Sequence, residues 1–211
     1  MMVLHGYWRS TSSYRVRIAL NLKGIEYDQV THDLRTGEQA APDYVALNPQ
    51  RLVPTLDTGD VLLTQSIAII EWLEEQYPEP RLLPEAPHDR AAVRAMSDIV
   101  ACDIHPLNNV RVLNAIKNDL GANATQTSAW ISHWIQSGFT AIEALIEKHG
   151  GTYAFGDMPT MADCCLVPQL YSAERFEVDV SAYPRILAAT EAASRLPAFE
   201  KAHPSRQPDA D

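Results

Sequence analysis

The sequence predicts an α/β domain over residues 1–84, with elements ordered β-α-β-α-β-β-α, followed by an all-α domain over residues 85–211. Three observations carry that reading. Short apolar and β-branched runs alternate with helical periodicity as far as Tyr77. Residues 79–88 then carry Pro80, Pro84 and Pro87, a composition suited to a linker. From Asp89 onward the periodicity is helical, with no convincing strand.

Residues 1–4 read as the first strand. Val16, Ile18, Ala19 and Leu20 form the apolar side of the first helix, and Gly24 closes it as a C-cap. Residues 27–31 form the second strand. Residues 38–47 make a short helix, with Pro42 near its start and Asn48-Pro49 at its end. Residues 52–57 are a strand, Thr58-Gly59-Asp60 a tight turn, and residues 61–63 the hairpin partner. Ser66 caps an amphipathic helix with Ile67, Ile70, Leu73 and Glu74 at helical spacing, which Tyr77-Pro78 stops. This order is the thioredoxin-like arrangement.

In the second domain one helix spans residues 89–117, interrupted at Pro106, and another spans 125–149. Thr160 and Asp163 stand at capping-box spacing before a third, and Tyr183-Pro184 and Leu196-Pro197 open two shorter ones. The polar tail after His203 is expected to be loosely held.

Charge and cysteine usage restrict the function. The 211 residues hold 17 Lys and Arg against 27 Asp and Glu, for a net charge of −10. Nucleic acid and anionic membrane are therefore poor partners for the bulk surface. Cys102, Cys164 and Cys165 make no disulfide framework, and the two adjacent ones read as packing residues. No basic segment followed by an apolar run opens the chain, and no stretch approaches the length of a membrane span. The expectation is a cytoplasmic protein.

Against that acidic background, the turn between the first strand and first helix stands out. It reads Arg9-Ser10-Thr11-Ser12-Ser13, with Arg15 and Arg17 following. Ser12 or Ser13 serves as the N-cap. Four consecutive hydroxyls exceed what one cap needs, so the turn reads as an anion site at a helix N-terminus. In thioredoxin-like proteins this turn often carries Cys-x-x-Cys, whose thiolate the helix N-terminus stabilises. The first domain here has no cysteine, so a cofactor must bring the sulfur, and glutathione is the candidate.

A second polar cluster, Asp103, His105, Asn108, Asn109 and Arg111, surrounds Pro106. His105 and Asn109 are four apart and share a helix face. Asp103 and His105 lack a matching second ligand pair, so no metal is predicted. Arg175 follows Ala173-Glu174 in the third helix. Arg9, Arg111 and Arg175 together would form a clamp for a small dicarboxylate substrate, because Arg forks suit carboxylates.

Residues 9–24 resemble the signature of the zeta class of glutathione transferases. So do Ala46-Leu47-Asn48-Pro49, Leu52-Val53-Pro54, residues 65–71, residues 103–109, Met161-Ala162-Asp163 and Arg206-Gln207-Pro208-Asp209. The resemblance implies a glutathione transferase fold and a glutathione-binding first domain. Val53 would offer its main chain beside a cis Pro54, Gln65 and Ser66 would hold the γ-glutamyl end, and Gln39 would lie next to it. Asp103, His105 and Asn109 would complete the cofactor site, Asp103 from across a homodimer boundary. Catalysis would rest on Ser10, aided by Ser12, Thr11 and Arg9, with Arg111, Arg175 and Asn109 on the substrate.

The implied reaction is cis–trans isomerisation of maleylacetoacetate in tyrosine and phenylalanine breakdown, or of maleylpyruvate in the gentisate pathway. A general conjugating transferase and a non-catalytic glutathione-binding protein are the other readings. One departure matters. Where the family often writes Ser-Ser-Cys, this chain has Ser10-Thr11-Ser12, so no cysteine is present there to contribute.

Overall fold

The computed structural model describes Met1–Asp211 and divides the chain into two compact units. Unit 1 combines Met1–Leu82 with Ser194–Asp211, and unit 2 is Leu83–Ala193. The first break falls close to the expected linker. The second differs from expectation: residues 194–211, expected in the helical domain, cluster with the first unit.

In unit 1, β1 (Met2–Gly6) lies centrally in a four-stranded sheet of order β2-β1-β3-β4, with β2 at Tyr27–Thr31, β3 at Thr55–Asp57 and β4 at Leu62–Thr64. β1 runs parallel to β2, pairing Met2 with Tyr27, and antiparallel to β3, pairing Leu4 with Leu56. A parallel pair needs a crossover, and α1 (Thr11–Leu22) supplies it. α1 packs on both α3 (Ser66–Gln76) and α9 (Pro197–Ala202). That double cover explains why Thr11 and every residue from Ser13 to Leu20 are buried, Arg15 and Arg17 included. Gly6 ends β1 where a Cβ would sit 3.1 Å from Ser13 Oγ, so the missing side chain lets α1 approach the strand. Gly24 follows the helix at φ +66°, the left-handed position expected of it.

A buried ion pair joins the helices. Lys23 Nζ lies 2.5 Å from Glu74 Oε2 and also donates to the Tyr77 and Pro80 carbonyls, while the same Glu74 oxygen accepts from Leu82 N–H. The expected helix over 38–47 is a 3₁₀ turn (Glu38–Ala40) followed by α2 (Pro42–Leu47). The break follows Ala41, whose extended conformation is what a residue before proline prefers.

The tail is not loose. Gln207 is buried, its amide donates to the Lys201 and His203 carbonyls, and Asp211 pairs with Arg35.

Unit 2 is helical: α4 (Pro87–Asp98), α5 (Val110–Asn118), α6 (Ala124–His149), α7 (Met161–Arg175) and most of α8 (Pro184–Ser194). The helix expected over 89–117, with its interruption at Pro106, leaves regular α-geometry earlier, after Asp98. After α4 the chain widens into a π-helical stretch (Ile99–Ile104), with His105 N–H bonding to the Val100 carbonyl, then tightens to a 3₁₀ turn (Pro106–Asn108). Pro106 has no N–H to continue the ladder, which accounts for the change of pitch. Gly138 of α6 permits close packing there, since a Cβ on it would lie 2.3 Å from Ile104 Cδ1. α6 turns Ile131, Ile135, Phe139, Ile142 and Ile146 inward, a stripe at helical spacing.

The predicted capping box of α7 forms. Asp163 accepts from Thr160 N–H and Oγ1 and also from Ala154 N–H, and burial pushes its carboxyl up to about 6. No helix is long and apolar enough to cross a membrane.

Candidate active site

The first-turn hydroxyls fall into distinct positions once α1 is built. Ser10 is the N-cap, where its Oγ accepts from Ser13 N–H at 3.2 Å, so the cap is neither Ser12 nor Ser13. A hydroxyl that accepts with its oxygen keeps its proton to donate elsewhere. Thr11 is buried at the first helical position, Ser12 is half-buried at the second, and Ser13 packs under Gly6. Ser10 and Ser12 are therefore the hydroxyls with open surface. The N-terminal N–H groups of α1 and the helix dipole favour a negative charge beside them.

The arginines around this turn divide. Arg9 is half-buried and stacks over the Trp8 ring at 5.2 Å. Arg15 and Arg17 are buried in internal contacts. Arg17 donates to the Trp8 and Ala202 carbonyls at 2.9 Å each, and Arg15 Nη1 donates to Ser66 Oγ at 3.2 Å. Their burial inside unit 1 removes them from the anion site and makes them ties between α1, α3 and α9.

That Arg15–Ser66 bond joins the starts of two helices. Ser66 is the first residue of α3, and the cap position belongs to Gln65, so Ser66 is not the cap expected from sequence. Gln65 sits at φ 69°, ψ 116°, a conformation that costs a non-glycine residue about 1–3 kcal/mol and clusters at ligand-binding sites. Its amide donates to Gln50 Oε1 at 2.8 Å, bringing the loop before β3 alongside. Within that loop the Val53–Pro54 peptide is cis. Tyr44 and Asn48 both donate to the Leu52 carbonyl, at 2.6 and 2.7 Å, and so frame the loop. Gln39 lies in the 3₁₀ turn, half-buried, and its Oε1 is buried without a hydrogen-bond partner.

Behind α2 stands a histidine pair. His5 Nδ1 and His32 Nε2 are 3.0 Å apart, and Tyr44 packs on His32 with ring centroids at 4.2 Å. Burial lowers both imidazole pKa values. Asp57 opposes the shift at His5; at His32 the neighbouring His5 adds to it and Glu38 opposes it.

In unit 2 the polar cluster lines the π-helix, 3₁₀ turn and start of α5. Asp103 is exposed and His105 half-buried; Asn109 caps α5, its Oδ1 accepting from Arg111 N–H at 3.1 Å. Trp130 of α6 donates to the Leu107 carbonyl at 2.9 Å and fixes the turn. Asn108 belongs to the cluster without a role predicted from sequence. Both polar atoms of its side chain are buried without partners, a fact that no sequence signal carries.

Arg111 occupies the first turn of α5, where a cation opposes the helix dipole. Arg175 closes α7, where a cation suits the dipole, and stacks over the Phe176 ring at 4.5 Å. Arg111 thus lacks a local structural reason for its charge, whereas Arg175 has one. No group of three or more His, Cys, Asp or Glu is placed to hold a metal ion.

Known proteins share the sequence and fold of this chain. Residues 9–76 match the family model described as glutathione S-transferase, N-terminal domain, and residues 128–192 match the corresponding C-terminal domain. The chain is 50% identical over 212 residues to maleylacetoacetate isomerase of Pseudomonas aeruginosa, covering 99% of this chain and 98% of that one. It superposes on the holo structure of a maleyl pyruvate isomerase, described as a bacterial zeta-class glutathione S-transferase. That match has a TM-score of 0.97 and 51% identity, covering 99% of this chain and all of the other. A third match is maleylacetoacetate isomerase of Anaeromyxobacter dehalogenans with dicarboxyethyl glutathione and citrate in its active site. There the TM-score is 0.90 and the identity 40%, covering 100% and 98% of the two chains.

Proposed function

The chain belongs to the zeta class of the glutathione transferase family, and on that premise we propose that it is a glutathione-dependent cis–trans isomerase of maleylacetoacetate. The observation that carries the reading is the start of α1. Ser10 caps the helix with its oxygen and keeps a proton to donate, in a unit whose own sequence has no thiol. The residues of unit 1 fit glutathione in kind: a helix N-terminus with hydroxyls for a thiolate, the N-terminus of α3 at Gln65 and Ser66 for a carboxylate, and the orphaned Gln39 oxygen for an ammonium. Val53 offers main-chain groups to the cysteinyl portion, and family resemblance assigns Asp103, His105 and Asn109 of unit 2 to the same cofactor.

Glutathione supplies the thiolate whose reversible addition lets the cis double bond become single, rotate and re-form as trans. The protein's share is electrostatic. Ser10, with Ser12, donates to the sulfur and holds it ionised, while Thr11 shapes the turn from inside. Arg9, Arg111 and Arg175 hold the substrate's two carboxylates and the negative charge that grows on its carbonyl oxygen. Preorganised donors act most strongly on charge that appears in the transition state. The orientation of Arg111 against its own helix dipole supports a ligand role for that cation.

The protein acts in the cytoplasm as a homodimer, the commonest closed assembly, with Asp103 reaching toward the partner's glutathione. Its pathway is aromatic amino-acid catabolism. Maleylpyruvate is the second substrate to test, since a relative of that name is equally similar. Ultraviolet assays of both maleyl substrates, with and without glutathione, decide the matter. Isomerisation without net glutathione consumption supports the reading, and turnover of aryl halides alone would replace it with a general transferase. Sedimentation at micromolar concentration checks the dimer against a monomer of 23.4 kDa.

A further inference from the structure

The turn that presents Arg9 and Ser10 is held from two sides. Inside, Ser10 N–H bonds to the Tyr7 carbonyl at 3.0 Å, and the buried Arg17 guanidinium reaches the Tyr7 and Trp8 carbonyls at 3.5 and 2.9 Å. Outside, Trp8 N–H donates to a carboxylate oxygen of Asp209 at 2.9 Å, across 201 residues of sequence. Arg17 Nε also bonds to the Ala202 carbonyl, so both braces lead to the C-terminal segment.

That segment has its own anchors. Gln207 bonds to the Lys201 and His203 carbonyls and accepts from Gln29, Tyr14 meets the His203 ring edge-on, and Asn21 donates to the Ala198 carbonyl. Asp209 is therefore not needed to keep the tail in place. What its carboxylate does is fix Trp8 N–H, one residue before Arg9 and two before Ser10. Trp8 is buried, so an amide released there has little water to turn to.

We infer that Asp209 is a positioning residue of the active site: its carboxylate, acting through Trp8 N–H, sets the placement of Ser10 Oγ and the Arg9 side chain. The inference rests on the reading of Ser10 as the group that stabilises the glutathione thiolate. Reacting groups displaced by about 1 Å lose on the order of 10²-fold in rate, so a slackened turn costs activity without dismantling the fold.

The test compares Asp209→Ala, Asp209→Asn and Ser10→Ala in the full-length protein. Trp8 amide exchange is followed by NMR without glutathione, and the pKa of bound glutathione by the far-ultraviolet absorbance of its thiolate. In Asp209→Ala, Trp8 exchange should quicken about 10-fold or more, matching the loss of roughly one hydrogen bond. The thiolate pKa should rise, and kcat for isomerisation should fall about 10- to 100-fold with the glutathione KM nearly unchanged. Asp209→Asn keeps an acceptor oxygen and should restore most of the rate and of the pKa. Should the alanine variant fail to fold, Asp209→Glu carries the test: a carboxylate one methylene further out must still shift the thiolate pKa.

Unchanged exchange, pKa and kcat in Asp209→Ala, or an asparagine variant no better than alanine, overturns the inference. An unchanged pKa in Asp209→Glu does the same. If Ser10→Ala is itself fully active, the site reading falls instead, and Trp8 exchange then still reports whether the brace exists.

Discussion

Ser10 holds two jobs on one hydroxyl, and substitution separates them. Its oxygen accepts from Ser13 N–H at 3.2 Å, and its proton is assigned to the thiolate. Ser10→Ala removes both. Loss of an N-cap costs about 1 kcal/mol, which for a chain of this length lowers Tm by roughly 2–4 °C. Loss of one donor to a developing anion costs about 10²–10³ in kcat. Ser10→Asp separates the two, because a carboxylate caps well and suits the positive end of the helix. It has no proton to give at neutral pH, and its charge opposes a neighbouring thiolate. Stability should then match the wild type, while kcat falls at least as far as in the alanine variant. Ser10→Thr keeps cap and donor and should remain active. Thermal unfolding, isomerase kinetics and the ultraviolet titration of bound thiol, run on all three, give the answer. An active Ser10→Asp with an unshifted thiol pKa would falsify the assignment, as would activity that simply tracks Tm across the set.

Other consequences are open to measurement. Lys23→Met leaves Glu74 buried with its partner gone and should cost about 3–5 kcal/mol, or roughly 6–20 °C in Tm; a loss below about 1 kcal/mol by urea titration would mean that water replaces the ammonium. Arg111→Ala should weaken kcat/KM for the maleyl substrates by roughly 10- to 100-fold with glutathione affinity little changed by calorimetry. Arg175→Ala should do the same if the clamp has three members, and wild-type kinetics in both variants would show that there is no clamp. The His5–His32 pair is half-buried with both pKa values below the ordinary 6.5, so the unfolded chain takes up protons first as the solution is acidified. Stability from the pair is thus complete above 6.5 and declines below it. A His5→Leu/His32→Leu double variant should flatten the urea midpoint between about pH 7 and pH 5 relative to wild type, and an equal slope in both proteins would remove the pair from the account.

Much of unit 1 could be read from sequence because its signals are local. The strand at 27–31 and the Gly24 cap follow from residue type and spacing, and the capping box at Thr160 and Asp163 is as local in unit 2. What could not be read depends on contacts between distant residues. Arg15 and Arg17 look in sequence like two more cations beside an anion site. Only the packing of α3 and α9 over α1 turns them inward. Ser66 looks like a cap because hydroxyls usually are; the unusual backbone of Gln65 moved the boundary by one residue. The tail after His203 reads as polar and Pro-containing, and nothing local says that Trp8 and Arg35 await its carboxylates. For the candidate site, the residue types at the two helix starts were legible, whereas the orphaned atoms of Gln39 and Asn108 were not, since burial of a single atom has no sequence signature.

The return of residues 194–211 to unit 1 fixes an order of events during synthesis. The sheet and its first helices leave the ribosome early, yet α9, which covers one side of α1, follows only after all of unit 2 has been made. Until then α1 shows an uncovered flank to solvent, and the Arg17 guanidinium lacks the Ala202 carbonyl it will eventually meet. A nascent chain stalled within unit 2 should accordingly be bound by chaperones and cut readily by proteases at residues 7–24. A fragment ending at Leu82 should behave likewise, soluble only when residues 194–211 are supplied on a second chain. Gene dissection at the proline-rich linker, which composition alone recommends, would therefore divide the protein in the wrong place.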